Sequence, residues 1–224
     1  MPWLTNSLGD GHASTDVPFT EDSWTALDNP AAPVAAYSQS KTIAERAAWD
    51  WTAKEGGTME LSVVNPVGIF GPVLSKDFTF SVQLVSGLLK GEIPGLPNLA
   101  LTIVDVRDAA DLHLKAMANP KAAGQRFIAA SDEPFLWTKD VAAYLRRGLG
   151  DKARRVPTRT APNFVLRLMA LFNGAVAVIV PELGKVKAFT NQKAKTTLDW
   201  QPRSAEEALL ASANTLMEHG VVKP

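Results

Sequence analysis

Cysteine is absent from the 224 residues. Disulfides, thiolate nucleophiles and cysteine-ligated metal sites are thereby excluded, and the chain suits a reducing cytoplasm. Histidine is scarce. His12, His113 and His219 stand far apart, with no two at metal-ligand spacing. Charge of one sign does not prevail either, since Lys plus Arg is 23 and Asp plus Glu is 23. Nothing electrostatic therefore draws the chain to nucleic acid or to an anionic membrane, and Arg146-Arg147 and Arg154-Arg155 read as solvated helix ends. A long hydrophobic run is also missing. The most apolar stretch, residues 163–180, carries Arg167, breaks at Asn173-Gly174 and stops at Pro181. It reads as a buried helix followed by an apolar turn rather than as a membrane span. The first residues show neither the basic region nor the apolar core of a signal peptide.

What is present is ordinary globular composition, 46% apolar and 21% charged. Residues 8–35, rich in Gly, Pro, Asp, Ser and Thr, read as a long surface loop. Residues 36–55 lack Pro and Gly and end at Gly56-Gly57, the pattern of a helix with a glycine stop. Leu61 to Val64 reads as a buried strand terminated by Asn65-Pro66, and Gly68, Gly71 and Pro72 mark the next segment as a loop. Further helices are expected at 78–90, 108–119, 138–149, 163–172 and 204–219, with strands at 101–106 and 126–130. Ser204-Ala-Glu-Glu207 forms a capping box at the start of the last helix. Strands and helices in alternation predict an α/β layer structure with a parallel sheet.

Tyr37 and Lys41 stand four apart near the start of the first helix, so their side chains share one face. An ammonium beside a phenol favours the phenolate, and a phenol so tuned exchanges a proton with a carbonyl or alcohol oxygen. Tyr-x-x-x-Lys alone is a weak pattern. Its context is more specific: Ala36-Tyr-Ser-Gln-Ser-Lys-Thr-Ile-Ala-Glu-Arg-Ala-Ala-Trp49, then Val63-Val-Asn-Pro-Val-Gly-Ile-Phe-Gly-Pro72, then Ile103-Val-Asp-Val-Arg-Asp-Ala-Ala-Asp-Leu-His113. These blocks, in this order, resemble the extended short-chain dehydrogenase/reductase family, related to the NAD-dependent epimerases and dehydratases. The loop Pro18-Phe-Thr-Glu-Asp-Ser-Trp24 and the run Lys41-Thr-Ile-Ala-Glu-Arg-Ala-Ala-Trp49 are most similar to its dihydroflavonol reductase and aldehyde reductase branch, and the tail Leu198-Asp-Trp-Gln-Pro-Arg-Ser204, leading into a last helix, also fits.

That resemblance implies the C-terminal part of a Rossmann-like, doubly wound parallel sheet with a small α/β substrate lobe. It implies one domain over 1–224, with 1–70 and 100–130 in the Rossmann layer and 71–99 and 131–224 in the lobe. Tyr37 would be the general acid/base and Lys41 its partner, which also holds the nicotinamide ribose. Ser7 would bind the substrate carbonyl, with Thr5 as the alternative. Asn65, Pro66 and Val67 would lie beside the nicotinamide ring, where ligands bind in open α/β sheets. The implied cofactor is NADP or NAD, with NADP preferred and no metal. The implied partners are a small-molecule carbonyl substrate and a second copy docked through the Ala36–Glu55 helix. Arg107 and Asp108 read as a structural ion pair with a helix cap, and His113 as structural. Ile43, Ala47 and Trp51 form an apolar row expected to pack on the sheet or on another subunit. Phe70, Phe78, Phe80, Leu96, Phe164 and Met169 suggest an apolar substrate pocket.

A glycine-rich turn between a first strand and helix, the phosphate cradle of dinucleotide enzymes, is not found. Gly9-Asp-Gly11 has no strand of useful length before it, and Gly68-Ile-Phe-Gly71 follows the Tyr-Lys helix, in the wrong order. On the family pattern the chain begins near the end of the serine-bearing strand, which leaves the nucleotide-binding half out. The expectation is therefore a carbonyl reductase in intact form, with the 224 residues alone poorly stable and inactive. A non-catalytic remnant that binds a small molecule or partner, and a nucleotide-sugar epimerase or dehydratase, stay open as alternatives.

Overall fold

A computed structural model describes residues 17–29, 34–78 and 80–223. The first element is α1 (Ala36–Glu55), which ends at Gly56 as its sequence predicts. β1 (Val63–Pro66) and β2 (Gly68–Phe70) follow, then α2 (Phe80–Lys90), β3 (Ala100–Leu101), β4 (Ile103–Asp105) and α3 (Val106–Ala118). β5 (Arg126–Ala129), β6 (Leu136–Trp137), α4 (Thr138–Leu149), α5 (Asn163–Met169), α6 (Gly174–Ile179), α7 (Gln192–Leu198) and α8 (Ala205–Glu218) complete the order. Among the described residues no helix is long and apolar enough to cross a membrane.

β1 pairs in parallel with β5, Val63 opposite Arg126 and Pro66 opposite Ala129. β2 pairs in parallel with β4, and β3 pairs antiparallel with β6. Val67 N–H extends the β1–β5 ladder to the Ala129 carbonyl (3.1 Å), and Ser131 N–H, just past β5, joins it to β4 at the Ile103 carbonyl (2.7 Å). One apolar core gathers Phe127, Ile128, Leu112, Ala116, Leu198 and Trp200 around the β1–β5 pair. A larger one packs α2, α4 and α8 together through Leu88, Leu145 and Leu209.

Several expectations are corrected. The first strand is Val63–Pro66, not 61–64, and Asn65-Pro66 lies inside it. Proline lacks the backbone donor, and it stands at the last position of the strand, where the parallel ladder with β5 ends. The segment 68–70, expected as a loop, is a strand. Gly68 is there because a Cβ would stand 2.9 Å from the Thr102 carbonyl oxygen, so the neighbouring backbone comes close only to glycine. The expected strand 101–106 is split between β3 and β4, and α3 starts at Val106 because the buried Asp105 caps it, accepting from Arg107 N–H at 2.9 Å.

Arg107 pairs with Asp105 (2.7 Å) and Glu207 (3.6 Å), not with Asp108. Asp108 instead takes the Arg203 guanidinium and, at 2.7 Å, the Arg203 N–H. Its own carbonyl accepts from the indole of the fully buried Trp200 at 3.0 Å. The tail 198–204 is thereby tied to the start of α3. The segment 163–180 is not a buried helix: α5 ends at Met169, and Phe164 and Phe172 are 73% and 88% exposed. Nor do the aromatic and aliphatic residues proposed for a pocket act together, since Phe70 and Leu96 are core while Phe164 faces solvent.

Gly71 carries a positive φ of +112°, and a Cβ there would sit 2.9 Å from Asp105 Oδ1. Its N–H donates to Ser212 Oγ, and its carbonyl accepts from the same hydroxyl, both at 2.8 Å. A side chain at this position meets both strain and a buried carboxylate. Gly71→Ala is expected to lower stability by about 2 kcal/mol, read from the midpoint of urea unfolding; an unchanged midpoint would refute it.

Candidate functional site

The residues proposed for chemistry sit on two elements whose relative placement follows from connectivity. Residues 56–62 join the end of α1 to the start of β1, so helix and strand run in opposite senses. The start of α1 and the carboxyl end of β1 therefore share one end of the layer. The contact that sets the level is Glu45 against Arg126, the first residue of β5. Tyr37 lies two turns above Glu45, roughly 12 Å of helix rise. β5 climbs roughly 10 Å from Arg126 to Ala129. Tyr37 and Lys41 therefore lie toward the end of α1 that faces away from the start of β1.

Tyr37 is 44% exposed, and the Lys41 ammonium lies 5.5 Å from the centre of its ring. Among the described residues the phenol hydroxyl meets no hydrogen-bond partner, and Lys41 pairs with no carboxylate. Asn65 and Val67 are buried, and Pro66 is half-buried. Ser7, and Thr5 behind it, lie outside the described residues. The structure thus brings Tyr37 and Lys41 together on one face of α1. Arg107, Asp108 and His113 serve α3 instead: His113 Nδ1 lies 2.7 Å from the Ala109 carbonyl.

The clamp that holds α1 is a feature that reading the sequence missed. The buried face of α1 is Ser38, Thr42 and Glu45, whereas Ile43 and Trp51 are 56% and 47% exposed. The expected apolar row thus does not pack on the sheet. Arg126, buried, donates from Nε to Glu45 Oε1 (2.6 Å) and from Nη2 to Glu45 Oε2 (3.2 Å). Its Nη1 donates to the carbonyls of Glu21 and, at 3.1 Å, Ser23. Its face stacks on Trp24 at 3.8 Å, and Arg46 lies over the same ring at 5.3 Å. Trp49 Nε1 donates to Glu45 Oε1 at 3.2 Å.

The segment 17–29 is not a plain surface loop either. Phe19, Glu21 and Thr25 are buried, and Glu21 Oε1 accepts the Ile128 N–H at 3.0 Å, closing part of the outer edge of β5. A signal for the clamp was available: one arginine opens an otherwise apolar strand, Arg126-Phe-Ile-Ala129. A charge buried there requires a partner.

The fold is one shared with solved reductases of the Rossmann type. No family model matches the chain. It is 35% identical over 132 residues to cinnamoyl-CoA reductase 1 of Arabidopsis thaliana, covering 57% of this chain and 38% of that protein. It is 37% identical over 125 residues to the NADPH-dependent methylglyoxal reductase GRE2 of Saccharomyces cerevisiae, covering 49% of this chain and 35% of that protein. The crystal structure of the yeast methylglyoxal/isovaleraldehyde reductase Gre2 with NADPH superposes with a TM-score of 0.71 at 25% identity, covering 96% of this chain and 62% of that one. The chain spans less than half the length of the curated relatives that it matches. Its sequence and its fold are similar to those of extended short-chain reductases, the resemblance that its motifs carry.

Removing the Glu45 carboxylate leaves a buried guanidinium without the two charge-assisted hydrogen bonds that it donates to Glu45. Glu45→Ala is expected to cost about 3 kcal/mol of stability. Chemical denaturation measures it, and a loss below about 1 kcal/mol, the range of exposed pairs, would show that the clamp is not what holds α1.

Proposed function

We propose that this chain carries the proton-transfer side of an NADPH-dependent carbonyl reductase. The observation behind this reading is the Tyr37–Lys41 pair, exposed and one turn apart on α1. Its companions are the relatives' own names, which include NADPH-dependent reductases.

Tyr37 donates its phenolic proton to the oxygen of a ketone or aldehyde as the carbonyl carbon is reduced. Lys41 stabilises the phenolate left behind and binds the nicotinamide ribose. The three donors of its ammonium, paired with no carboxylate among the described residues, fit that task. Asn65, Pro66 and Val67 border the nicotinamide ring, and Ser7 binds the carbonyl oxygen. NADPH supplies the hydride when bound. Residues 1–70 and 100–130 form the cofactor layer, and 71–99 and 131–224 the substrate lobe. The protein works in the cytoplasm.

Tyr37→Phe is expected to lower kcat at least ~100-fold, with NADPH affinity nearly unchanged. The assay follows NADPH oxidation with aldehydes and ketones, on the chain alone and joined behind the preceding half of yeast Gre2. Retention of more than about a tenth of the rate would remove Tyr37 as the acid. Lys41→Met is expected to weaken NADPH binding about tenfold as well as slowing turnover; unchanged affinity would remove its ribose-binding role.

The exposed Ile43 and Trp51 on α1 support a homodimer through this helix. Sedimentation should then show dimers that Trp51→Glu converts to monomers. A monomeric unaltered chain would end that reading.

A further inference from the structure

The chain as a whole is electrically balanced, but one stretch is not. Residues 152–181 hold five basic side chains, Lys152, Arg154, Arg155, Arg159 and Arg167, and no acidic one. The later part of this stretch is the α5–α6 hairpin, the segment first expected as a buried helix. One side of the hairpin is anchored, where Leu166, Val176 and Ile179 pack with Leu99 and Leu183. The other side is bare. Phe164, Leu168 and Phe172 recur at four-residue steps, and Leu171 stands beside the last of them, so the four form one stripe. They are 73%, 60%, 88% and 73% exposed in that order. Single exposed apolar residues are ordinary, but a continuous stripe with a phenylalanine at either end marks a contact surface.

Cations border the stripe. Arg167 stands three residues after Phe164 and four before Leu171, beside the stripe on the helix. Arg159 lies shortly before α5, and Lys185 shortly after α6; all three are exposed. None of them pairs with a carboxylate among the described residues. Glu182, the acid that closes the basic stretch, is held by Lys187 at 3.0 Å. The turn between the helices satisfies its backbone from within. The N–H groups of Leu171, Phe172 and Asn173 donate to the carbonyls of Leu168, Met169 and Met169, at 3.2, 3.0 and 3.0 Å. Asn173 Oδ1 accepts from Val176 N–H at 3.3 Å, and the Asn173 carbonyl from Ala177 N–H at 3.0 Å. The turn can thus leave water without stranding these donors, which an apolar medium would penalise heavily.

We propose that the α5–α6 hairpin is a contact site for an anionic lipid surface. Phe164, Leu168, Leu171 and Phe172 enter the interface, and Arg159, Arg167 and Lys185 meet the headgroup anions. Charge selects this occupant. A protein surface of ordinary composition brings both signs, whereas three cations with no acid among them are answered by a surface that is negative throughout. Shape agrees, because side chains this exposed stand out from the fold rather than line a hollow, and a fluid interface receives a protrusion without a preformed pocket. Length agrees too: α5 has seven residues and α6 six, enough to lie in an interface and far too few to span a bilayer. The cytoplasmic leaflet is the one rich in anionic lipid, so the contact is compatible with the location proposed above and does not depend on the role of Tyr37.

Co-sedimentation with lipid vesicles tests this, on the chain alone and on the chain joined behind the preceding half of yeast Gre2. Vesicles of phosphatidylcholine are compared with vesicles of which roughly a third is phosphatidylserine. Partitioning onto the second kind is expected to be at least about tenfold stronger, and to fall as salt is raised. Phe172→Asp is expected to weaken it about tenfold. Arg159→Glu with Arg167→Glu should weaken it by about tenfold on the anionic vesicles and leave the weaker binding to phosphatidylcholine unchanged. These side chains are exposed, so each variant should keep the urea midpoint of the unaltered chain; Leu171→Asp takes the place of Phe172→Asp if that variant does not. Failure to partition onto anionic vesicles overturns the proposal, as does partitioning that ignores lipid charge or that survives the aspartate substitution. Two other occupants would also overturn it. A dimer that Phe172→Asp converts to monomers would assign the stripe to a second copy of the chain, and vesicle binding that disappears in the joined form would assign it to the joined half.

Discussion

The ion pair between Arg126 and Glu45 is the constraint on which the site's geometry depends. α1 offers the layer a polar face, Ser38, Thr42 and Glu45, and leaves Ile43 and Trp51 outside. Apolar burial therefore cannot fix its height or rotation among the described residues. A buried guanidinium can, because its donors point in fixed directions and each must be met. Two go to Glu45 and one to the carbonyls of the segment 17–29, while Trp24 covers the ring plane. Helix, segment and strand are tied at one point, and the position of Tyr37 follows from helix rise alone. Burying such a pair costs desolvation energy that its attraction only partly offsets. What it contributes is a single arrangement.

The opposite face of the β1–β5 pair is held by more familiar means. Phe127 points away from Arg126 because side chains alternate along a strand, and it meets α7, where Lys193 lies 5.5 Å from its ring. Leu112 and Ala116 of α3 and Trp200 of the tail fill the same core. The tail is then fastened by Asp108, which takes both the backbone and the guanidinium of Arg203. Asp105 caps α3 and pairs with Arg107. Two carboxylates at one helix start thus connect the sheet to α8, each in the position that the helix dipole favours.

Similarity in sequence and similarity in fold reach over different lengths of the chain. The sequence relatives match over part of the chain, whereas the fold matches yeast Gre2 over 96% of it. Fold persists where identity fades because core volume and hydrogen-bond pattern tolerate substitution more readily than sites do. The parts shared with reductases include the helix of Tyr37 and Lys41 and the strand of Asn65 and Pro66.

Sequence alone determined what depends on short-range physics. α1 from Ala36 to Glu55, α4 from Thr138 to Leu149 and the Ser204 cap of α8 appear where composition, glycine stops and capping spacing put them. Placing Tyr37 and Lys41 on one face needed only the period of the helix. Tertiary structure decided what depends on distant partners. Gly68–Phe70 is a strand because the backbone at Thr102 approaches it, Arg107 chooses Asp105 and Glu207 over Asp108, and Glu45 turns to Arg126 rather than to Lys41. The reason is common to all three. A charged or polar group is satisfied by whichever partner the fold brings within about 3 Å, and residues 45 and 126 in one chain carry no local pattern that announces their meeting.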